Sequence, residues 1–272
     1  MMLTALAAML VTPGQPLSGF QILVLAFAVL ISSGAAGAFN QYYEVDLDAR
    51  MQRTKNRPFV TGQFRKGPFW VAFILALLVA GVGSAALVLN GVAALYIFLG
   101  AFTYGIVYTV WLKRSTSMNI VIGGAAGSFA VLGGAAAVDP SLGPIPIYLA
   151  LALFFWTPSH FWSLAIAKHK DYDSAEVPML PVVIGDKRTA VVVFFNTLVL
   201  VAFSIMPFFH GLGWIYLAGA VGGGGYFLYR NYLMILDPSP KVAMTSFFAS
   251  LVQLVLLLAG AALDVALLGV PA

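Results

Sequence analysis

The chain is a succession of apolar blocks of about 20 residues, each closed by Gly, Pro or a charge cluster and each long enough to cross ~30 Å of hydrocarbon. The blocks lie near 18–41, 67–89, 92–112, 118–137, 145–167, 189–209, 212–233 and 243–266. With 61% of residues hydrophobic and 9% charged, they exceed what a soluble core could bury. The pattern predicts an all-α, polytopic membrane bundle with eight full spans. Met1 to Val11 precedes them, apolar and uncharged, and reaches only ~16 Å at 1.5 Å per residue. It lacks the basic start and cleavage site of a secretory signal, so it is expected to be a further helix cut short.

No heptad, fixed-period repeat or long linker interrupts the blocks, so residues 1–272 are expected to form one membrane domain. There is no Cys, which excludes disulfides, haem-thiolate bonds and iron–sulfur clusters. All 14 Lys and Arg fall on the loops or flanks of one membrane side, and so do all acids except Asp139 and Asp264. The positive-inside rule turns that side toward the cytoplasm. Nearly all charged chemistry is therefore available at one membrane face.

Two segments concentrate that charge. In "NQYYEVDLDARMQRTKNRP", residues 40 to 58, Asn40, Glu44 and Asp48 recur every four residues, which stacks them on one helical face with Asp46 pointing elsewhere. Two carboxylates and an amide oxygen suit Mg²⁺, a cation that keeps waters and shares phosphate oxygens. Arg53, Lys55 and Arg57 follow, before Pro58 ends any helix. Bases beside a metal site can hold a diphosphate and stabilise it as a leaving group. The bland alternative is that the acids solvate a helix end while the bases attract lipid headgroups.

The second segment is "WTPSHFWSLAIAKHKDYDSAEVPMLPVVIGDKR", residues 156 to 188. Asp171, Asp173 and Glu176 mirror the first acids, and Lys168, Lys170, Lys187 and Arg188 mirror the first bases. The two clusters could hold a diphosphate between them through bridging metals. Within a span, His160 is a functional candidate as an iron ligand or proton acceptor, or else a packing residue. His169 and His210 read as loop or interface residues. A third loop, "YTVWLKRSTSMNIVIGGAAGS", brings Lys113 and Arg114 to the same depth, and its glycines Gly123, Gly124 and Gly127 permit close helix packing. No strand precedes these glycines, so they are not a phosphate-cradling P-loop. Tyr104, Tyr108 and Trp111 are candidates for lining an isoprenoid channel or for ordinary packing.

On these motifs the chain resembles the intramembrane prenyltransferase superfamily of UbiA type, and within it the protohaem IX farnesyltransferase (haem O synthase) branch. Asn40, Glu44 and Asp48 match the Asn-x-x-x-Asp-x-x-x-Asp signature, with Glu in place of the middle Asp. "MQRTKNRP", the Lys113 loop and the Pro-x-His-Phe-Trp run with Asp-Tyr and Pro-Met-Leu-Pro are similar to that branch, chiefly over residues 30 to 190. The resemblance implies a bundle of nine membrane helices, the first truncated here, with its polar site at the cytoplasmic face. It implies Mg²⁺ on Asn40, Glu44, Asp48 and Asp171 as the catalytic group, and a diphosphate held by Arg53, Lys55, Arg57, Lys113 and Arg114. His160 would stand on the haem side. The implied reaction is farnesyl transfer from farnesyl diphosphate to the vinyl group of haem B, with water added, giving haem O. Implied partners are the lipid bilayer and a haem A synthase, without nucleic acid, in the bacterial plasma membrane rather than the mitochondrial inner membrane. A quinone- or chlorophyll-precursor prenyltransferase would share the Asn40 motif without needing the His-Phe-Trp run. A multi-pass transporter would place its acids near the bilayer midplane.

Overall fold

Twelve helices account for most of the chain in the computed structural model, which describes residues 1–270. In order they are α1 (Met2–Val11), α2 (Gly19–Tyr43), α3 (Val45–Arg50), α4 (Pro68–Val88), α5 (Gly91–Leu112), α6 (Asn119–Val138) and α7 (Pro144–Ala167). Then follow α8 (His169–Ser174), α9 (Leu180–Ile184), α10 (Asp186–Ile205), α11 (Trp214–Leu236) and α12 (Pro240–Leu268). Among the described residues there is no strand. Seven helices are long and apolar enough to span a membrane: α2, α4, α5, α6, α7, α10 with its 3₁₀ extension to His210, and α12. The one expected span outside these seven, 212–233, corresponds to α11, whose 23 residues suffice in length. Its run Gly222 to Gly225, with Arg230 and Asn231, leaves it less apolar than the others. The protein is an integral membrane protein built as a helical bundle.

Local chemistry explains where the spans begin. Ser18 and Gln21 form a capping box at the start of α2, Ser18 Oγ accepting from the Gln21 amide and Gln21 Oε1 from the Ser18 amide. Pro68, Pro144 and Pro240 open α4, α7 and α12, where a missing N–H costs nothing. Asn90 caps α5 through the Ala93 amide and ties it to α6 by donating to the Ala136 carbonyl at 2.7 Å. The start of α11 is capped from another helix: Asp264 of α12 accepts from the Gly213 and Tyr216 amides at 2.6 and 3.1 Å. That far-side acid, buried, is the contact that fixes α11 on α12.

In lipid there is little hydrophobic drive between helices, so close packing depends on small residues. The tightest approach is α1 on α6, where a Cβ on Gly134 would lie 2.0 Å from the Ala5 carbonyl oxygen. Gly219 does the same for α11 on α12, its added Cβ falling 2.5 Å from the Leu256 carbonyl oxygen. A buried polar chain joins the second half of the bundle. Asn231 donates to Thr197, Ser246 donates to Asn231, and Ser163 of α7 bonds Ser246.

Candidate active site

The acidic strip survives a break in its helix. α2 ends at Tyr43 and α3 begins at Val45, yet the Glu44 amide donates to the Asn40 carbonyl and the Asp48 amide to the Glu44 carbonyl. The four-residue register therefore carries through the joint. Asn40, Glu44 and Asp48 are 4%, 0% and 2% exposed, far from the solvated helix end of the bland alternative. Asp46 faces away and forms a two-pronged ion pair with Arg114 at 2.7 and 2.8 Å. Those hydrogen bonds hold the Asp46 carboxyl below its ordinary range and raise the Arg114 guanidinium.

Each buried acid has its own base. Lys113 Nζ contacts Glu44 Oε2, and Arg57 Nη1 donates to Asp48 Oδ2 at 2.7 Å. Burial pushes the Glu44 carboxyl up and the Lys113 ammonium down, while the contact between them opposes both shifts. Asn40 Nδ2 donates to Thr109 Oγ1 at 3.1 Å, and Thr109 in turn donates to the Tyr104 carbonyl. This anchors the strip to the second half of α5, where Thr103–Leu112 is a π-helix. The wider turn brings Tyr104 and Tyr108 together, their rings stacked 5.6 Å apart on the cavity wall.

These side chains enclose a cavity of about 190 Å³ whose wall includes Asn40, Asp48, Arg53, Arg57, Lys113 and Tyr172 at its polar end. Its opposite end is apolar, with Gly123, Gly124, Gly127, Trp156 and Phe161. Tyr104 and Ala126 also border a second, apolar cavity of about 250 Å³ between α2, α5 and α6. A charged chamber therefore adjoins a greasy one.

Several expected members stand elsewhere. Of the five bases expected to hold one diphosphate, Arg53, Arg57 and Lys113 line the chamber and Lys55 and Arg114 do not. Residues 53 and 57 keep a one-turn spacing through the turns that follow α3, which leaves Lys55 exposed; Arg114, next to Lys113, points instead to Asp46. Glu44 is sealed behind Lys113 rather than in the wall. Asp171, on α8, is half-buried beside Tyr172 and outside the wall, while Asp173 is exposed and Glu176 meets Arg50 at 3.6 Å. Among the described residues no three His, Asp or Glu side chains converge on one point, so Asp171 does not join Glu44 and Asp48 in a single cluster. Tyr172, Trp156, Phe161 and Thr109 were absent from the sequence-based set of site residues. Tyr172, directly after Asp171, and Phe161, within the Pro-x-His-Phe-Trp run, carried a signal; Trp156 and Thr109 did not.

His160 lies in α7, 7% exposed, between Trp156 and Phe247 with ring centroids 4.2 and 4.3 Å away. Its Nδ1 is 2.6 Å from Ser250 Oγ. Ser250 Oγ is also within 2.6 Å of the Phe247 carbonyl, so the hydroxyl ties the His160 ring to the α12 backbone. The same residue's carbonyl accepts from Trp156 Nε1 at 2.9 Å, so Ser250 orients both rings.

The donor set fits a hard divalent cation. Glu44 Oε1 is buried without a hydrogen-bond partner, an atom whose desolvation is otherwise uncompensated. Asp48 keeps one oxygen beyond the Arg57 contact, and Asn40 adds its carbonyl oxygen. All three are oxygen ligands of the kind Mg²⁺ takes, and two carboxylates leave room for phosphate oxygens and water.

The UbiA prenyltransferase family model matches residues 1–261. The chain belongs to that family. UbiA membership sets aside the transporter reading. Protoheme IX farnesyltransferase 2 of Paramagnetospirillum magneticum (strain ATCC 700264 / AMB-1) is 54% identical over 267 residues, covering 98% of this chain and 93% of the relative. Protoheme IX farnesyltransferase of Alkalilimnicola ehrlichii (strain ATCC BAA-1101 / DSM 17681 / MLHE-1) is 42% identical, covering 97% of this chain and 87% of that one. The fold is similar to a digeranylgeranylglyceryl phosphate synthase, with a TM-score of 0.80 at 17% identity over 97% of this chain and 92% of that one. It is also similar to a UbiA homolog from Archaeoglobus fulgidus bound to GPP and Mg²⁺, with a TM-score of 0.69 at 16% identity over 98% and 95% of the two chains.

Proposed function

We propose that this chain transfers the farnesyl group of farnesyl diphosphate to a vinyl group of haem B, with addition of water, to form haem O. The observation that carries the reading is the buried acid–base chamber opening beside an apolar one, which matches a diphosphate head and an isoprenoid tail. The acceptor is supported by relatives named protoheme IX farnesyltransferase.

Asn40, Glu44 and Asp48 would hold Mg²⁺, which supplies charge neutralisation to the departing diphosphate, as the Mg²⁺ and GPP of the archaeal homolog support. Asp171, outside the chamber wall, would take part only through a further bridging Mg²⁺ carried by the diphosphate. Arg53, Arg57 and Lys113 balance the charge that grows as the C–O bond breaks. The allylic cation left behind is attacked by the vinyl π pair, and apolar walls keep bulk water from intercepting it. His160, held between Trp156 and Phe247, would serve the haem side as iron ligand or propionate partner. The charged face is cytoplasmic in a bacterial plasma membrane, and a haem A synthase is the partner that would take up the product.

Expression in cells lacking their own haem O synthase, followed by chromatography of extracted haems, tests the reading: haem O should appear, and its absence from a well-expressed chain would refute it. Replacing His160 by Ala should abolish both haem binding and transfer; if both stay intact, the haem-side assignment is wrong.

A further inference from the structure

The second charged segment reaches the chamber through Tyr172. Two neighbours on α8 part company there: Asp171 stays outside the wall, while Tyr172, 5% exposed, forms part of it. The Tyr172 carbonyl accepts from the Val177 amide at 3.0 Å, which closes the turn after α8. Its ring belongs to a buried apolar cluster that also holds Leu47, Met51, Ile120 and Trp162. Leu47 and Met51 lie on either side of Asp48 in the first charged segment, so packing of the ring fixes α8 beside the acid strip. What that packing does not use is the hydroxyl. The Arg53 guanidinium bears on it both as a nearby charge and as a hydrogen-bond partner. A guanidinium has donors only, so the phenol oxygen accepts from Arg53 and keeps its own O–H to donate.

The bases of the wall are not equivalent either. Arg57 is paired with Asp48 and Lys113 with Glu44, whereas among the described residues Arg53 has no carboxylate partner. A cation without an acid, beside an O–H with a proton to give, is a setting for an anion. We propose that Tyr172, oriented by Arg53, donates its O–H to the ester oxygen of the departing prenyl diphosphate. The proposal rests on the farnesyl-to-haem reading above and adds a catalytic residue to it. The choice of oxygen follows from charge. The non-bridging oxygens are charged in the intact substrate and suit the cations, whereas the ester oxygen becomes charged only as the C–O bond breaks. A neutral donor there adds little to substrate binding and most to the transition state. The bonding pair leaves with the oxygen, Tyr172 keeps its proton, and the hydrogen bond is strongest to the pyrophosphate that has left.

Two measurements on the full chain in lipid test this, and the first needs no turnover. Inorganic pyrophosphate with Mg²⁺ is titrated calorimetrically into the unmodified chain and into Tyr172→Phe. Losing one hydrogen bond to a charged group should weaken pyrophosphate binding about tenfold or more. The melting temperature should stay the same, because Phe keeps the ring that packs. Equal pyrophosphate affinity would overturn the proposal, and so would a lowered melting temperature, which would put the hydroxyl in the fold instead of the site. The second measurement is steady-state transfer with farnesyl diphosphate and haem B. Tyr172→Phe should lower kcat about tenfold with KM for farnesyl diphosphate little changed, the pattern of an interaction made in the transition state. An unchanged kcat, or a loss confined to KM, would overturn the catalytic role. If the unmodified chain forms no haem O while Tyr172→Phe still weakens pyrophosphate binding, the farnesyl-to-haem reading fails and the Tyr172 contact with a diphosphate stands.

Discussion

At the scale of single residues, the site depends on charges that cannot be removed one at a time. Glu44 is sealed beneath Lys113, so Lys113→Met strands a buried carboxylate and should cost about 3–5 kcal/mol. Adding Glu44→Gln should recover much of that loss in a denaturation series while leaving transfer defective, since Lys113 lines the chamber and Glu44, behind it, is a proposed Mg²⁺ ligand. If the double variant were no more stable than Lys113→Met, the pair would not be coupled as its geometry requires. Two positions away the opposite holds. Asp46 and Arg114 are an exposed pair, and such pairs contribute about 0–1 kcal/mol. Because Arg114 holds the Asp46 carboxyl below its ordinary 3.8, the pair's contribution is whole above that pH and is lost as pH falls through the lowered value. Asp46→Asn should therefore leave transfer and neutral-pH stability nearly unchanged, and a large loss of activity would mean that Asp46 belongs to the site. The sequence spacing alone separated these neighbours, because a one-turn period specifies a face. It could not reveal that Glu44 lies behind Lys113, since pairings between distant helices leave no local pattern.

Among the elements, the spans were legible because lipid imposes a length on every apolar block. The short pieces were not. α3, α8 and α9 have six, six and five residues, too few for a period to be seen, and their form follows from packing against the bundle. The π-helix of α5 left no signal either, because its register depends on Thr109 bonding both Tyr104 and Asn40. Asp264 looked like a lone far-side charge until α11 was seen to start on it. Helix contact is set as closely as any charge. Gly134→Val would force α1 off α6, since even one added carbon meets the Ala5 backbone at 2.0 Å, and overpacking of this kind costs about 1–3 kcal/mol or more. A lowered melting temperature in detergent should accompany it; an unchanged one would show that α1 is not held there.

For the whole molecule, the proposed orientation of the two faces rests on the distribution of charge. Because the chain has no Cys, single cysteines can report orientation cleanly. Lys55→Cys should react with a membrane-impermeant maleimide only from the cytoplasmic side, and Ser141→Cys only from the other; the reverse pattern would invert the proposed topology. In the proposed topology one face carries the acid strip and its bases, while an apolar cavity deeper in the bundle adjoins them. The acids recur at a readable interval, whereas the chamber itself is a product of six or more helices meeting and could be inferred only from the family resemblance. The decisive assay reconstitutes the purified chain in lipid with Mg²⁺, farnesyl diphosphate and haem B and follows haem O by chromatography. Haem O should form with the unmodified chain and fall to background with Asp48→Asn at equal folding; undiminished haem O from Asp48→Asn would contradict the assignment of this chamber as the place where the diphosphate leaves.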